Sequence, residues 1–368
     1  MDTAAGDGSA AAGAHTVHPL TVAAVEPLTD EAVKITFAVP AELRGAFRFA
    51  HGQHVAIVRR EDGEEVRRSY SVCSPAGGPL SIGVKRLAGG RFSGWAQREL
   101  RAGDVLEVLP PAGRFTVALD PAHRKHYVAI AAGSGITPVI SILETVLAAE
   151  PLSRATLVYG NRTAASIMFL EEVEDLKDRH PTRFQRFHVL SREAQEAPLL
   201  HGRIDAEKVQ ALVRDVIPVE TVDEWLLCGP LDMTDHVHAA LVAGGAAKAR
   251  IHRELFHVGD VPAPPARADD SAAPGRAAHV TIVLDGRTSV CKVHEREPIL
   301  DAILRARPDA PYACKGGVCG TCRCRVTAGE VRMDRAYALE DHERDAGIVL
   351  ACQAHPVSER VALDFDAA

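Results

Sequence analysis

Cysteine is scarce in this sequence: eight residues in 368, too few for a disulfide-dense secreted scaffold. Positive charge is also in deficit, with 42 basic against 49 acidic side chains, a net charge of −7 and a pI near 6.2. A chain without a basic footprint is not expected to bind nucleic acid. The opening stretch, MDTAAGDGSAAAGAHT, lacks the positive start and apolar core of a secretory signal. It reads as part of a disordered tail over 1–17. Nor is there a clean apolar span. The longest uncharged run, Tyr127 to Leu143, is broken by Gly133-Ser134-Gly135 and by Thr137-Pro138. A strand, a glycine turn and a helix account for it better than a membrane crossing. These absences lead to the expectation of a soluble, cytoplasmic protein with reduced thiols and neither membrane nor nucleic acid as partner.

Hydrophobic residues at 46% and charged residues at 25% are ordinary for globular proteins, and the length suggests about two to three domains. From 18 to 122, short alternating runs predict an antiparallel β-barrel: Ala32–Val39, Gln53–Arg59, Glu65–Val72, Leu80–Lys85 and Val105–Leu109. A short helix is expected at Ser93–Leu100. From 123 to 257, apolar strands alternate with helical patterns, which predicts an α/β domain with a parallel sheet. The stretch 258–277 contains GDVPAPPARADDSAAPG and reads as a linker. The last segment, 278–368, predicts a small α+β domain: strands at His279–Leu284 and Thr288–Val293, a helix at Ile299–Arg305, then a cysteine loop and further strands.

Four of the eight cysteines fall within eleven residues, Cys314 to Cys324. The run Cys314-Lys-Gly-Gly-Val-Cys319-Gly-Thr-Cys322, with Cys352 downstream, has the C-x4-C-x2-C…C spacing of a plant-type [2Fe–2S] site. Two sulfide-bridged irons need four thiolates, and Gly316, Gly317 and Gly320 would let a short loop wrap around them. A Cys3His zinc site from Cys319, Cys322, Cys352 and His355 is the competing pattern, and it leaves Cys314 and the glycines unexplained. Cys324 alternates with Arg323 and Arg325 and is expected to face a core, as are Cys73 and Cys291.

The other motifs are individually weak. Arg68-Ser69-Tyr70-Ser71 ends one barrel strand, and Lys85 and Gly89-Gly90-Arg91-Phe92-Ser93 follow, with Ser93 a candidate helix cap near a phosphate. Gly133-Ser134-Gly135-Ile136-Thr137-Pro138 joins a strand to a helix, with Thr137 suited to the cap and Pro138 to the first helical position. Asn161-Arg162, Ser191-Arg192 and Cys228-Gly229-Pro230 end the next three strands. The glycine turn and these three strand ends are expected at the carboxyl edge of one parallel sheet, where open α/β sheets bind ligands.

Taken with these residues, 278–368 resembles the plant-type ferredoxin domain, a β-grasp fold. Residues 18–257 resemble the ferredoxin–NADP reductase superfamily. The order of parts looks like the reductase component of a multicomponent oxygenase. The resemblance implies FAD held by Arg68, Tyr70, Ser71, Lys85, Gly90, Phe92, Ser93 and Phe256. It implies a nicotinamide nucleotide along Gly133, Gly135, Thr137, Pro138, Asn161, Arg162, Ser191, Arg192, Cys228, Gly229 and Pro230. Ser71, Cys228 and Glu254 would position hydride transfer, with no acid–base residue, and Cys314, Cys319, Cys322 and Cys352 would ligate the cluster. Arg162, Ser191 and Arg192 suit a 2′-phosphate, favouring NADPH, with NADH the alternative. The implied partner is a diiron oxygenase. Rival expectations are a reductase of the same layout serving another oxygenase, and a non-enzymatic redox sensor or electron carrier.

Overall fold

Alternation of apolar and polar residues builds the first sheet. Its strands are β1 (His18–Thr29), β2 (Ala32–Ala38), β3 (His54–Glu61), β4 (Glu64–Ser71), β5 (Ser81–Lys85) and β6 (Val105–Val108). Leu20 and Val22, Ile35 and Phe37, Ile82 and Val84, and Leu106 and Val108 are paired at i, i+2 and point into one core. The sheet runs β4-β3-β6-β1-β2-β5, and a bridge between Val72 and Ile82 joins its two edges into a barrel. Helix α1 (Arg91–Arg98) plugs this core with Phe92 and Ala96. It begins two residues before the expected start. Gly90 is its cap, while Ser93 lies inside it and accepts the Leu87 N–H at 3.1 Å. The computed structural model describes residues 16–61, 64–256 and 277–368. Most of the expected tail and all but the end of the expected linker lie outside them.

The second sheet alternates strands with helices: β7 (His126–Ala132), α2 (Ile136–Ala149), β8 (Arg154–Asn161), α3 (Leu170–Arg179), β9 (Phe184–Leu190), α4 (Ala206–Asp215), β10 (Glu224–Cys228), α5 (Leu231–Ala243) and β11 (Ile251–Glu254). All pairs are parallel, in the order β11-β10-β7-β8-β9. Both faces are covered. Tyr127, Ala129 and Ala131 face one apolar cluster with α2, and Val128 and Ile130 face another with α4 and α5. Barrel and parallel sheet belong to one compact unit, Pro19–Phe256, in which Ala32, Cys73, Phe115 and Val117 join the core of α2.

The second unit holds the described residues from 277 to 368. Its strands and helices are β12 (Ala278–Leu284), β13 (Arg287–Val293), α6 (Ile299–Ala306), β14 (Arg323–Ala328), β15 (Val331–Met333), α7 (Asp341–Asp345), β16 (Ile348–Leu350), β17 (Ala354–Pro356) and β18 (Arg360–Asp364). A five-stranded mixed sheet, β13-β12-β18-β14-β16, carries α6, which buries Ile299, Leu300, Ala302 and Ile303. Asp285 and Gly286 both have positive φ, as a two-residue hairpin turn requires, and the Asp366 carboxylate accepts both of their N–H groups at 2.9 and 2.8 Å.

Candidate functional site

The parallel order places a switch point between β7 and β10, whose following segments leave in opposite directions around the sheet. Gly133–Gly135 forms a tight turn there, with Gly133 at φ +53°. A Cβ on Gly135 would lie 2.1 Å from the Cys228 carbonyl oxygen, so only glycine lets the two carboxyl-edge segments approach this closely. The Tyr159 hydroxyl donates to the Gly133 carbonyl at 2.8 Å and fixes the turn. Helix α2 starts at Ile136, so Thr137 is not its cap. The Thr137 hydroxyl donates instead to the Ser134 carbonyl at 3.0 Å, and Pro138 sits in the first turn.

Adjacent strand ends complete this edge. The Ser191 N–H donates to the Asn161 carbonyl at 2.9 Å and the Arg192 N–H to the Arg162 carbonyl at 2.8 Å, extending the β8–β9 ladder. The Glu193 carboxylate takes the Ala164 N–H at 2.9 Å. Asn161 is buried, yet neither atom of its amide has a hydrogen-bond partner. Such orphans await a ligand or water. Lys85, implied by the resemblance to lie beside the flavin, approaches the Gly133 turn: its Nζ would stand 3.6 Å from a Cβ there. Burial, then the neighbouring Arg162 charge, lowers its pKa. The structure thus brings Lys85 to the glycine turn at the carboxyl edge of the parallel sheet.

Three side chains from distant segments converge deeper in the same unit. The Ser71 hydroxyl donates to Glu254 Oε1 at 3.4 Å, across 183 positions of sequence. Glu254 Oε2 is shielded from solvent and has no partner. Burial pushes the Glu254 carboxyl up to about 8, so it is mostly protonated at neutral pH. Burial, reinforced by Glu254, also holds the Cys228 thiol neutral. A buried serine, a neutral thiol and a carboxyl group with one unpartnered oxygen make a polar cluster without a strong base or nucleophile. Phe256 is half-buried against the core beneath it.

On the barrel, Phe92 packs between Tyr70 and Trp95, with ring centroids at 5.3 and 5.9 Å. Arg67 is the buried arginine of β4 and pairs with Glu65 at 2.7 Å; Arg68 is exposed and donates to the Arg67 carbonyl. Beside the Gly90 cap lies a cavity of about 670 Å3 that includes Arg59, Arg86, Arg91 and Arg98 in its walls. No local motif marks Arg59 or Trp95, because strand β3 and helix α1 meet only through the closure of the barrel. A phosphate-bearing flavin fits this set: cationic walls, a glycine cap and the orphaned Glu254 oxygen.

In the second unit, Cys314 shares thiol hydrogen bonds with Cys319 and Cys352, and Cys352 with Cys322. Those donors hold the Cys314 thiol low and push Cys319 and Cys352 up. All four are free thiols, the donor type that an iron–sulfur cluster takes, and the pairwise hydrogen bonds link them in one chain, Cys319–Cys314–Cys352–Cys322. The Gly316 N–H points at Cys314 Sγ, 3.3 Å away. Gly317 and Gly320 have φ of +77° and +67°, as the loop requires, but the third left-handed residue is Lys315 at +51°, not Gly316. His355, which the zinc pattern needs, is paired with Asp334 at 3.0 Å. Cys324 is fully buried, as alternation on β14 predicts, and Cys73 and Cys291 are buried as well.

Fold and site define a nicotinamide- and flavin-dependent oxidoreductase joined to an iron–sulfur domain. Three family models agree: an oxidoreductase FAD-binding domain over 19–117, an oxidoreductase NAD-binding domain over 129–239, and a 2Fe-2S iron-sulfur cluster binding domain over 282–357. The chain belongs to the family of oxygenase reductase components. It is 46% identical to a subunit of 1,2-phenylacetyl-CoA epoxidase from Escherichia coli, over 96% of this chain and 98% of that protein. It is 36% identical to the ferredoxin reductase component of 3-ketosteroid-9-alpha-monooxygenase from Rhodococcus rhodochrous, over 94% and 96% of the two chains. The fold matches the solved structure of phthalate dioxygenase reductase with a TM-score of 0.57 at 22% identity, covering 95% of this chain and 98% of that one. Among the described residues, no helix is long and apolar enough to cross a membrane.

Proposed function

We propose that this protein is the cytoplasmic NADPH-oxidising component that supplies electrons to a diiron oxygenase acting on phenylacetyl-CoA. The observation that carries this reading is the end-to-end 46% identity with a component of the phenylacetyl-CoA epoxidase. When bound, FAD supplies hydride acceptance and the [2Fe–2S] group supplies single-electron transfer. The chain's own work is placement. Arg68, Gly90 and Ser93 would hold flavin phosphates, and Tyr70, with Phe92 behind it, would support the flavin ring. Ser71, Cys228 and Glu254 would line the place where nicotinamide meets flavin; near contact of the reacting atoms is the main requirement there. Their neutral state at pH 7 keeps stray charge and competing proton traffic out of a buried site. Gly133, Gly135, Thr137, Pro138, Asn161, Gly229 and Pro230 would seat the coenzyme, with Lys85 on its phosphates. Arg162, Ser191 and Arg192 would grip the 2′-phosphate. Cys314, Cys319, Cys322 and Cys352 would hold the cluster.

The reading is tested by reconstitution. The protein should support turnover of phenylacetyl-CoA by the catalytic components of the epoxidase, and prefer NADPH to NADH. Turnover only with a steroid hydroxylase oxygenase would move it to the second relative's branch. Removing 278–368 should leave NADPH oxidation by ferricyanide intact and abolish oxygenase turnover. Oxygenase turnover by the truncated protein would overturn the assigned role of the cysteine loop.

A further inference from the structure

Helix α2 follows directly on the Gly133–Gly135 turn, and its buried side chains are apolar with three exceptions. Thr137, Ser141 and Thr145 recur at every fourth residue and so share one face. That face meets the barrel. The Thr137 methyl would lie 2.6 Å from a Cβ on Gly83 of β5, so glycine alone admits this contact. One turn on, the Ser141 hydroxyl donates to the Ser74 carbonyl at 2.6 Å and accepts the Gly52 N–H at 3.4 Å. A further turn on, the Thr145 hydroxyl accepts the Ala76 N–H at 3.0 Å and donates its own proton to the Ser141 carbonyl at 2.7 Å. Each of these two buried hydroxyls therefore has both a donor and an acceptor as partner.

Apolar packing alone would hold the helix against the barrel, but it is non-directional and defines no single register. Hydrogen bonds fix both distance and angle. These bonds fall where register matters. Ser74 follows Ser71 by three residues, and Ser141 follows Gly135 by six. We propose that Ser141 and Thr145 are positioning residues: they lock the strand end that carries Ser71 to the helix that carries the glycine turn, and so set how flavin and nicotinamide meet. The inference rests on the flavin and nicotinamide reading of those two edges and adds what keeps them in register. The step it governs passes one hydride, with its electron pair, from the reduced coenzyme to the flavin, leaving the coenzyme oxidised and the flavin reduced. Neither residue is among those assigned to a cofactor. No sequence motif contains them, because their barrel partners lie 67 to 89 positions earlier in the chain.

The test is rapid-mixing reduction of the full-length protein, carrying flavin and cluster, by saturating NADPH, or by NADH if that reduces wild type faster. Thr145→Val keeps the branched shape and removes the hydroxyl, whereas Thr145→Ser keeps the hydroxyl. The valine variant should reduce its flavin about tenfold more slowly at saturation, with coenzyme affinity and flavin content as in wild type. Its long-wavelength charge-transfer absorbance, which reports stacking of reduced flavin on oxidised coenzyme, should weaken in parallel. Thr145→Ser should restore both, and Ser141→Ala should reproduce the loss. Should Ser141→Ala fail to fold, the two Thr145 variants decide the matter. A lower Tm with the limiting rate and the charge-transfer band at wild-type values would overturn the proposal, because the hydroxyls would then only stabilise the fold. Loss of coenzyme affinity or of flavin in step with the rate would overturn it as well. Failure of both coenzymes to reduce the wild-type flavin would instead overturn the reading on which it rests.

Discussion

The cysteine loop and the Ser71–Cys228–Glu254 cluster are built in opposite ways. Three of the four thiols lie in one nine-residue run, Cys314 to Cys322, and the fourth follows a short strand. The cluster draws one residue from the end of a barrel strand and two from the ends of neighbouring parallel strands. A site written in one loop depends on local backbone geometry; a site assembled at a sheet edge depends on the whole topology. The first should therefore fail cleanly and alone, and the second should respond to changes in packing elsewhere.

The sharpest test of that contrast is Cys319→Ser. It should abolish the iron–sulfur absorbance and oxygenase turnover, while NADPH oxidation by ferricyanide continues at its normal rate. Loss of both activities would mean that the two regions are not independent. Next in size is Gly135→Ala. Its new Cβ, 2.1 Å from the Cys228 carbonyl, forces the β7 and β10 ends apart. A displacement on the order of 1 Å should reduce kcat/KM for NADPH by about a hundredfold, with the cluster spectrum unchanged. Unchanged kinetics would show that the close approach is not used. Arg192→Ala should raise KM for NADPH about tenfold and leave that for NADH alone, reflecting one charge-assisted contact. Equal effects on the two coenzymes would remove Arg192 from the 2′-phosphate.

The smallest effect concerns pH. The folded state raises the Glu254 pKa from 4.5 to about 8, so its stabilising contribution is complete below 4.5 and fades as pH rises through about 8. Glu254→Gln keeps a neutral amide at every pH. The variant should therefore gain thermal stability relative to wild type as pH rises across that window, by a few degrees in Tm. A difference that does not change with pH would mean that the carboxyl group is not buried as described.

Most of the fold is legible in the sequence because period-two and period-3.6 patterns do not depend on distant partners. The parallel strands and their carboxyl-edge motifs lie where alternation and glycine turns put them. The departures are local and share one cause. Ser93 and Thr137 have the residue types of helix caps, but both hydroxyls bond to loop backbone three or six residues away, inside helices that begin earlier. Gly316 has the residue type of a left-handed turn, whereas Lys315 adopts that conformation beside it. Lys85 belongs to a strand whose end approaches the Gly133 turn, a relation that only tertiary structure reveals. The same holds for the orphaned Asn161 amide and Glu254 Oε2, since a missing partner cannot be read from residue types.

The place of β18 in the second sheet has a consequence for timing. It lies between β12 and β14, pairing with one in parallel and the other in antiparallel register, yet it follows every cysteine of the loop in chain order. The central strand of this sheet is thus recruited from residues about 80 positions after β12, so β12 and β14 are joined only through a long-range pairing. Contacts of such long sequence separation form slowly, and completion of this sheet is expected to be a late step in the folding of the unit.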